Sequence, residues 1–255
     1  SPFDEQEVRG IARQIRDQGI RAVAVSSVFS PVNAEHERTT AAIVEEEIPG
    51  VAISISSEIG RIGLLERENA AIMNACLRDL AQAIVNSFRQ ALAEMKISAP
   101  FYISQNDGTL MSADYAEKYP VLTFASGPTN SMRGAAFLSG VKEAMVVDVG
   151  GTTSDVGMLV HGFPREASIA VKVGGVRTNF RMPDVYSFGL GGGSLVRREP
   201  LTIGPQSVGY ELTSKALIFG GDTLTASDIA VAAGVADFGE RSRVGHLDGA
   251  FVQAA

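Results

Sequence analysis

The chain has 255 residues, of which 45% are hydrophobic and 20% charged, proportions that are typical of a globular protein with a full core. Its formal net charge of −7 offers no basic surface, which argues against nucleic acid and against anionic membranes as partners. A single cysteine, Cys76, excludes an intrachain disulfide and suits a reducing compartment, and no apolar run reaches the roughly 18 residues of a membrane span. We therefore predict a cytoplasmic protein.

The first part of the chain predicts helices that alternate with strands. A capping-box pattern begins a helix expected over residues 4–18. A continuous apolar run over 20–29 predicts a strand buried on both faces, and it is followed by a helix from about Asn33 to Glu47 and a strand over 51–56. This order is typical of an α/β fold with βαβ units.

Residues 64–95 are rich in Ala, Leu, Arg, Glu and Gln and contain neither Gly nor Pro, which predicts one long helix or two that abut. Cys76 lies among apolar residues of this segment and is expected to be buried. His36 and Glu37, on the preceding predicted helix, are expected to form a pair on its surface, and a metal or catalytic role is the alternative.

Two loops that follow predicted strands are candidate ligand sites. A strand over 101–105 leads into Asn106, Asp107 and Gly108, and a strand over 121–124 leads into Ser126 and Gly127 at the start of a helix of small residues. Loops at the carboxyl ends of strands in an open α/β sheet are common ligand sites, and helix N-termini accept anions. A plain Asn-Asp-Gly turn is an equally good interpretation of the first loop.

The stretch from Val146 to Gly157 carries the strongest functional pattern. An apolar strand containing Asp148 leads into a turn of Gly150, Gly151, Thr152 and Thr153, and Asp155 begins a second apolar strand. Glycines let backbone N–H groups approach an anion, hydroxyls add donors, and Asp148 could hold a hydrated Mg²⁺ against phosphate charge. The pattern predicts phosphate binding on a hairpin, and an ordinary hairpin turn is the alternative.

After Asp155 the pattern becomes β-rich, with short strands expected over 158–160, 169–173, 176–180 and 185–188. Gly191, Gly192 and Gly193 follow, and three consecutive glycines are costly to order, which favours a close backbone approach to a ligand or to a neighbouring strand. A short helix is expected from Ser227. The sequence contains no P-loop, no G-x-G-x-x-G after a strand and no G-x-S-x-G, and its three histidines are far apart, so these site types have no support.

Several polar and glycine-rich motifs follow one another along the chain: Asn33–Glu37, Glu66–Asn69, Asn74–Ala75, Gln105–Gly108, Ser126–Pro128, Asp148–Asp155, Gly191–Ser194, Gly204–Pro205 and Thr225–Asp228. Their order, over about residues 20 to 235, resembles the hydantoinase A/5-oxoprolinase family. The resemblance implies a ribonuclease-H-like, actin-like ATPase fold of the α/β class, with a mixed sheet flanked by helices. It also implies that residues 1–62 form the C-terminal part of the family's N-terminal region and that residues 63–255 belong to its ATPase region.

The resemblance implies ATP-dependent hydrolysis of a cyclic amide of the hydantoin or 5-oxoproline type, with ATP and Mg²⁺ as cofactors and a second subunit or domain of the same enzyme as partner. Asp148 and Asp155 are then the candidate catalytic residues: Asp148 would hold Mg²⁺ or position water, and Asp155 would brace the turn or the metal's outer shell. The candidate nucleotide contacts are Gly150, Gly151, Thr152, Thr153, Gly191, Gly192 and Gly193. The candidate substrate loops, expected to line a cleft beside the turn, contain Asn106, Asp107, Gly108, Ser126 and Gly127.

Two segments typical of the family, a first Asp-Gly-Gly-Thr phosphate motif and a glycine-rich adenosine-binding segment, are not found in this sequence. We therefore expect an internal piece of a longer polypeptide, truncated at its C-terminus. Two alternative functions stay open at this point: a subunit of an ATP-dependent ketone carboxylase, and a non-catalytic nucleotide-binding module whose partner performs the chemistry.

Overall fold

A computed structural model describes residues 3–167 and 170–255. The α-helices are α1 Glu5–Asp17, α2 Glu35–Glu47, α3 Ser56–Ile59, α4 Leu64–Glu94, α5 Ala113–Lys118, α6 Ser126–Ser139, α7 Leu212–Lys215, α8 Ala226–Ala233 and α9 Gly249–Ala254. The strands are β1 Ala22–Val25, β2 Ala52–Ile55, β3 Tyr102–Ser104, β4 Leu110–Ser112, β5 Ala144–Val149, β6 Ser154–Val160, β7 Phe163–Pro164, β8 Val171–Val173, β9 Val176–Thr178, β10 Val185–Phe188, β11 Ser194–Arg198 and β12 Leu201–Ser207. Short 3-10 helices lie at Pro120–Thr123, Gly209–Glu211, Leu217–Phe219 and Arg241–Val244.

The chain divides into two compact units. The first unit is formed by the chain up to Arg133 together with Phe163–Asp184, and the second by Gly134–Gly162 together with Val185–Ala255. The boundary expected after residue 62 concerns regions of the family sequence and stays a prediction. In the described ranges, no helix combines the length and apolar character needed to cross a membrane.

The first unit contains the predicted βαβ arrangement. Strands β1 and β2 are parallel, with Ala22 opposite Ala52, and α2 connects them. Helix α1 begins where predicted, because the Asp4 carboxylate accepts hydrogen bonds from the backbone N–H groups of the first turn. The long helix α4 is a single helix that packs on both strands. This unit also contains two antiparallel strand pairs, β3–β4 and β8–β9.

Three expectations for the first unit are wrong. Strand β1 ends at Val25, because a turn follows Ser26 and Ser27, and the strand is only partly buried. The strand expected over 121–124 is a 3-10 helix that begins at Pro120, whose fixed φ and missing N–H suit a first helical position better than a ladder. Cys76 is exposed, because the buried face of α4 carries Asn74 and Ala75 and the next residue is rotated by about 100°.

Glu37 is also placed differently from the prediction, since it is only 1% exposed. Its carboxylate accepts hydrogen bonds from the Ser27 N–H at 2.7 Å, the Ser57 N–H at 3.0 Å and the Ser56 hydroxyl at 2.5 Å. The Ser56 Oγ accepts in turn from Nε of Arg67 at 3.0 Å, and Arg67 is 1% exposed. Two buried charged side chains therefore tie together the segments that follow β1 and β2.

We expect Glu37→Gln to lower the free energy of unfolding by about 1–3 kcal/mol at neutral pH, because it weakens bonds to a buried acceptor. Burial raises the pKa of Glu37, but the bonds from Ser56 and Ser57 outweigh it and hold the pKa below its ordinary value. A lowered folded-state pKa gives stability above the unfolded pKa that is lost as pH falls through the folded one. The difference in free energy of unfolding between wild type and variant, measured by urea unfolding, should therefore become smaller below about pH 4.5. Glu45→Gln, at an exposed position of α2, is the control, and a difference that is constant or wider in acid would contradict the prediction.

The second unit is built on an antiparallel sheet in the order β10–β6–β5. The hairpin β11–β12 and helix α8 follow it in the chain, and a core cluster of Ala216, Ile218, Val231 and Val244 lies in this part. The β-rich segment expected after residue 155 is therefore confirmed, and β10 has the predicted bounds. Of the strand expected over 169–173, Ile169 lies outside the described residues and β8 begins at Val171.

Candidate functional site

The predicted hairpin is confirmed at the stretch that carries the strongest pattern. Strands β5 and β6 are antiparallel, with Val149 opposite Ser154, and the turn between them is closed by a 2.9 Å hydrogen bond from the Gly150 N–H to the Thr153 carbonyl. Gly151 and Thr152, at the tip, are exposed. The turn therefore presents backbone N–H groups and hydroxyls to its surroundings.

Two carboxylates face each other across this hairpin, because Asp148 on β5 lies opposite Asp155 on β6. Directly opposed residues of an antiparallel pair project from the same face, where like charges repel. The Asp155 carboxylate accepts a hydrogen bond from the Ser187 hydroxyl on β10, which holds it to the third strand of the sheet. Within residues 3–167 and 170–255, no hydrogen bond or ion pair of the Asp148 carboxylate is found. The arrangement favours a cation beside the turn.

The three glycines at 191–193 pack against the hairpin turn. The N–H groups of Gly192 and Gly193 donate to the carbonyls of Gly150 and Gly151 at 3.0 and 2.7 Å. A Cβ on Gly191 would lie 2.6 Å from both the Gly150 oxygen and the Thr152 nitrogen. Of the two explanations that the sequence left open, the structure gives direct support to close approach of a neighbouring backbone. Contact of these glycines with a nucleotide stays a prediction.

Further polar groups hold this glycine loop in place. The Ser227 N–H donates to the Gly192 carbonyl at 2.9 Å, at the beginning of α8. That helix starts with a capping box in which the buried Asp228 carboxylate accepts from the N–H and hydroxyl of Thr225 and from the Ile218 N–H. The Thr225–Asp228 motif therefore has a structural role: it fixes the beginning of α8, which holds the glycine loop against the hairpin turn.

The residues of the turn fit a nucleotide phosphate with its Mg²⁺. A Cβ built on Gly151 meets no atom within 4 Å, so the space beside the turn is open to a ligand. In the described part of the chain, no group of three or more His, Cys, Asp or Glu side chains could hold a metal ion by itself. Mg²⁺ commonly takes one or two carboxylates and fills its other positions with water and phosphate oxygens, which agrees with Asp148 and Asp155.

The loop at Asn106, in the first unit, is held by its own side chain. Asn106 is 1% exposed; its Nδ2 donates to the carbonyls of Val121 and Arg181 at 3.0 Å each, and its Oδ1 accepts from the Ala125 N–H at 2.8 Å. These bonds use both ends of the amide, so Asn106 is better suited to fixing the loop than to contacting a substrate. Its neighbour Asp107 accepts from the N–H and hydroxyl of Thr109 at 2.9 and 2.6 Å.

The two candidate substrate loops lie together within the first unit. Ser126 and Gly127 begin α6, and the buried Thr129 donates its hydroxyl to the Gln105 carbonyl at 3.2 Å. Gly108 has φ of 79°, and a Cβ there would lie 2.9 Å from Cγ of Arg133, so glycine is required on both grounds. The residues of the turn and the glycine loop belong to the second unit. The single cleft expected to combine all of them stays a prediction.

Residues 67–237 match the family model described as hydantoinase/oxoprolinase, and residues 1–48 match that of the hydantoinase/oxoprolinase N-terminal region. The chain belongs to the hydantoinase/oxoprolinase family. The family expected from the order of the motifs is thereby confirmed.

The relatives include proteins that are named for different activities. The chain is 30% identical over 246 residues to the acetophenone carboxylase gamma subunit of Aromatoleum aromaticum. The aligned region covers 91% of this chain and 33% of that subunit. It is 26% identical over 219 residues to the caprolactamase subunit alpha of Pseudomonas jessenii, and this match covers 82% of this chain and 31% of the relative. The crystal structure of the ATP-dependent caprolactamase from the same organism matches with a TM-score of 0.75 at 25% identity, over 94% of this chain and 36% of that one.

The structural match confirms the fold class expected from the sequence, the mixed α/β fold of the actin-like ATPase type. The chain spans about a third of the length of these relatives.

Proposed function

We propose that this chain provides the phosphate-binding part of an ATP-dependent enzyme that opens a cyclic amide of the hydantoin or 5-oxoproline type. The observation that carries the proposal is the opposition of Asp148 and Asp155 beside an exposed turn of Gly151 and Thr152. Membership of the hydantoinase/oxoprolinase family and similarity to an ATP-dependent caprolactamase support it. The cytoplasmic location inferred from the single cysteine stays a prediction.

In this proposal the residues of the hairpin have different roles. Asp148 would hold Mg²⁺, while the N–H of Gly151 and the hydroxyls of Thr152 and Thr153 would donate hydrogen bonds to phosphate oxygens. Asp155, fixed by the Ser187 hydroxyl, braces the metal side of the turn. ATP, when bound, supplies a phosphoryl group that activates the ring amide toward attack by water. The loop of Asp107 and Gly108 is the candidate contact for the ring.

A second candidate is a subunit of an ATP-dependent ketone carboxylase, and the 30% identity to the acetophenone carboxylase gamma subunit favours it. The two candidates differ in what must be present for ATP to be consumed. A carboxylase requires a ketone and bicarbonate, whereas an amide-opening enzyme requires the ring alone. Both curated relatives are named as subunits, so we also propose a partner subunit or domain.

We expect Asp148→Asn, made in the full-length enzyme, to lower ring-dependent ATP turnover by about 100-fold or more, because a preorganised charge at the phosphate is lost. Circular dichroism should show an unchanged fold, since Asp148 makes no bond to another described side chain. Asp237→Asn, which removes an exposed carboxylate from the same unit, is the matched control. Undiminished turnover would overturn the assignment, and nucleotide binding without any turnover in the intact wild type would favour a non-catalytic module instead.

A further inference from the structure

A cavity of about 540 Å³ in the first unit lies beside the Asn106 loop, and its size is typical of sites for small molecules. Its lining combines charged, polar and aromatic side chains, among them Glu58, Arg61, Gln105, Asp107, Tyr115 and Arg181. Two apolar residues, Ile59 and Leu122, also contribute to it. The cavity is therefore suited to a small molecule that has both an apolar part and a charged part.

Arg181 is the cation of this cavity whose ion pairs are weakest. Its Nη1 lies 3.5 Å from Oδ2 of Asp107 and 4.0 Å from Oε1 of Glu166, and 59% of its side chain is exposed. Strong charge-assisted bonds between a guanidinium and a carboxylate are about 2.7–2.9 Å long. Arg61, by contrast, already makes a 2.8 Å bond to Glu166. The planar fork of Arg181 is thus oriented by Asp107 but keeps donors for a closer carboxylate.

The carboxylates of the cavity limit the charge of its ligand. Glu58 and Asp107 lie in the same lining as the two arginines, so the four charges balance. Glu58 is occupied by Lys118 at 3.1 Å and by the Tyr119 hydroxyl. A polyphosphate would be repelled by two carboxylates, whereas a ligand with one carboxylate matches the one guanidinium that is weakly paired.

We propose that this cavity binds a small ring that bears one carboxylate, and that Arg181 is the residue that selects for it. Arg181 receives the carboxylate through two parallel N–H bonds, and the apolar side chains of Ile59 and Leu122 contact the ring. The identity of the ring as a cyclic amide rests on the proposed function, whereas selection for a carboxylate rests on the cavity. A site of this kind favours rings of the 5-oxoproline type over neutral lactams and ketones.

The test compares two rings that differ by the carboxylate alone, 5-oxoproline and 2-pyrrolidinone, in calorimetric titrations of the full chain without nucleotide. We expect 5-oxoproline to bind at least about 10-fold more tightly. Arg181→Met should remove this preference, and Arg181→Lys should retain part of it because it keeps the charge but not the fork. Arg165→Met is the matched control, since Arg165 is a half-exposed arginine of the same unit that pairs with Asp184 outside this lining.

Equal binding of the two rings, a preference that survives Arg181→Met, or an equal loss in Arg165→Met would overturn the inference. So would the absence of measurable binding of 5-oxoproline by the folded chain. The result is separable from that of the proposed function, because the titrations contain no nucleotide and measure only binding of the ring. Binding through Arg181 without ring-dependent ATP turnover would contradict the proposed function only.

Discussion

Replacement of Arg67 by methionine should lower the free energy of unfolding by about 3–5 kcal/mol, the largest effect that we expect from a single change. The Arg67 guanidinium donates to the Ser56 hydroxyl at 3.0 Å and to the Ser27 carbonyl at 2.6 Å in a site that is 1% exposed. Methionine keeps an unbranched apolar side chain but is shorter than arginine and donates no hydrogen bond, so these acceptors would be left buried and unsatisfied. Chemical denaturation followed by circular dichroism measures the change.

The control for this prediction is Arg89→Met on the same helix, α4. Arg89 pairs with Asp114 and Glu117, but 41% of its side chain is exposed, and exposed ion pairs contribute about 0–1 kcal/mol. A loss at Arg67 no larger than that at Arg89 would show that the buried network does not stabilise the first unit.

The second large effect is expected from Gly191→Ala, which should lower the free energy of unfolding by about 1–3 kcal/mol and displace the hairpin turn. The added Cβ would lie 2.6 Å from the Gly150 oxygen and the Thr152 nitrogen. Both are backbone atoms of a turn that is closed by its own hydrogen bond, so neither can move aside as a flexible side chain would. The turn should therefore lose its shape together with its stability.

Gly151→Ala separates shape from ligand binding and is the matched control. A Cβ at Gly151 meets nothing within 4 Å, so the variant should unfold like the wild type. The same methyl group would occupy the open space beside the turn, where we propose that phosphate binds, and Mg·ATP binding by the intact enzyme should weaken. Destabilisation by Gly151→Ala that equals that by Gly191→Ala would contradict the proposed packing.

The hairpin could be predicted from the sequence because its signals are local. The strand pattern around Asp148, the glycine turn and the second strand from Ser154 follow one another directly, and adjacent strands joined by a short turn pair with each other. The role of Gly191 could not be predicted in the same way. Its partner is a turn far away in the sequence, and only the folded chain shows which backbone it approaches.

Buried polar residues were the main features that the sequence did not reveal. Glu37 reads as a surface residue of a helix, and Asn106 reads as part of a turn, because nothing local shows that Ser27, Ser56 or Val121 supplies their partners. The serines that follow β1 and β2 are the one signal that could have indicated a buried acceptor. The strand expected over 121–124 is wrong because Pro120, which lacks an N–H and has a fixed φ, begins a helical turn despite the apolar residues that follow it.

We propose above all that the turn between Asp148 and Asp155 serves ATP-dependent opening of a cyclic amide. The most direct test is ATP consumption by the full-length enzyme with 5-oxoproline, hydantoins and ketones, each with and without bicarbonate. We predict consumption that requires a cyclic amide, needs no bicarbonate and is lost in Asp148→Asn. Consumption that occurs only with a ketone and bicarbonate, or that is undiminished in Asp148→Asn, would contradict it.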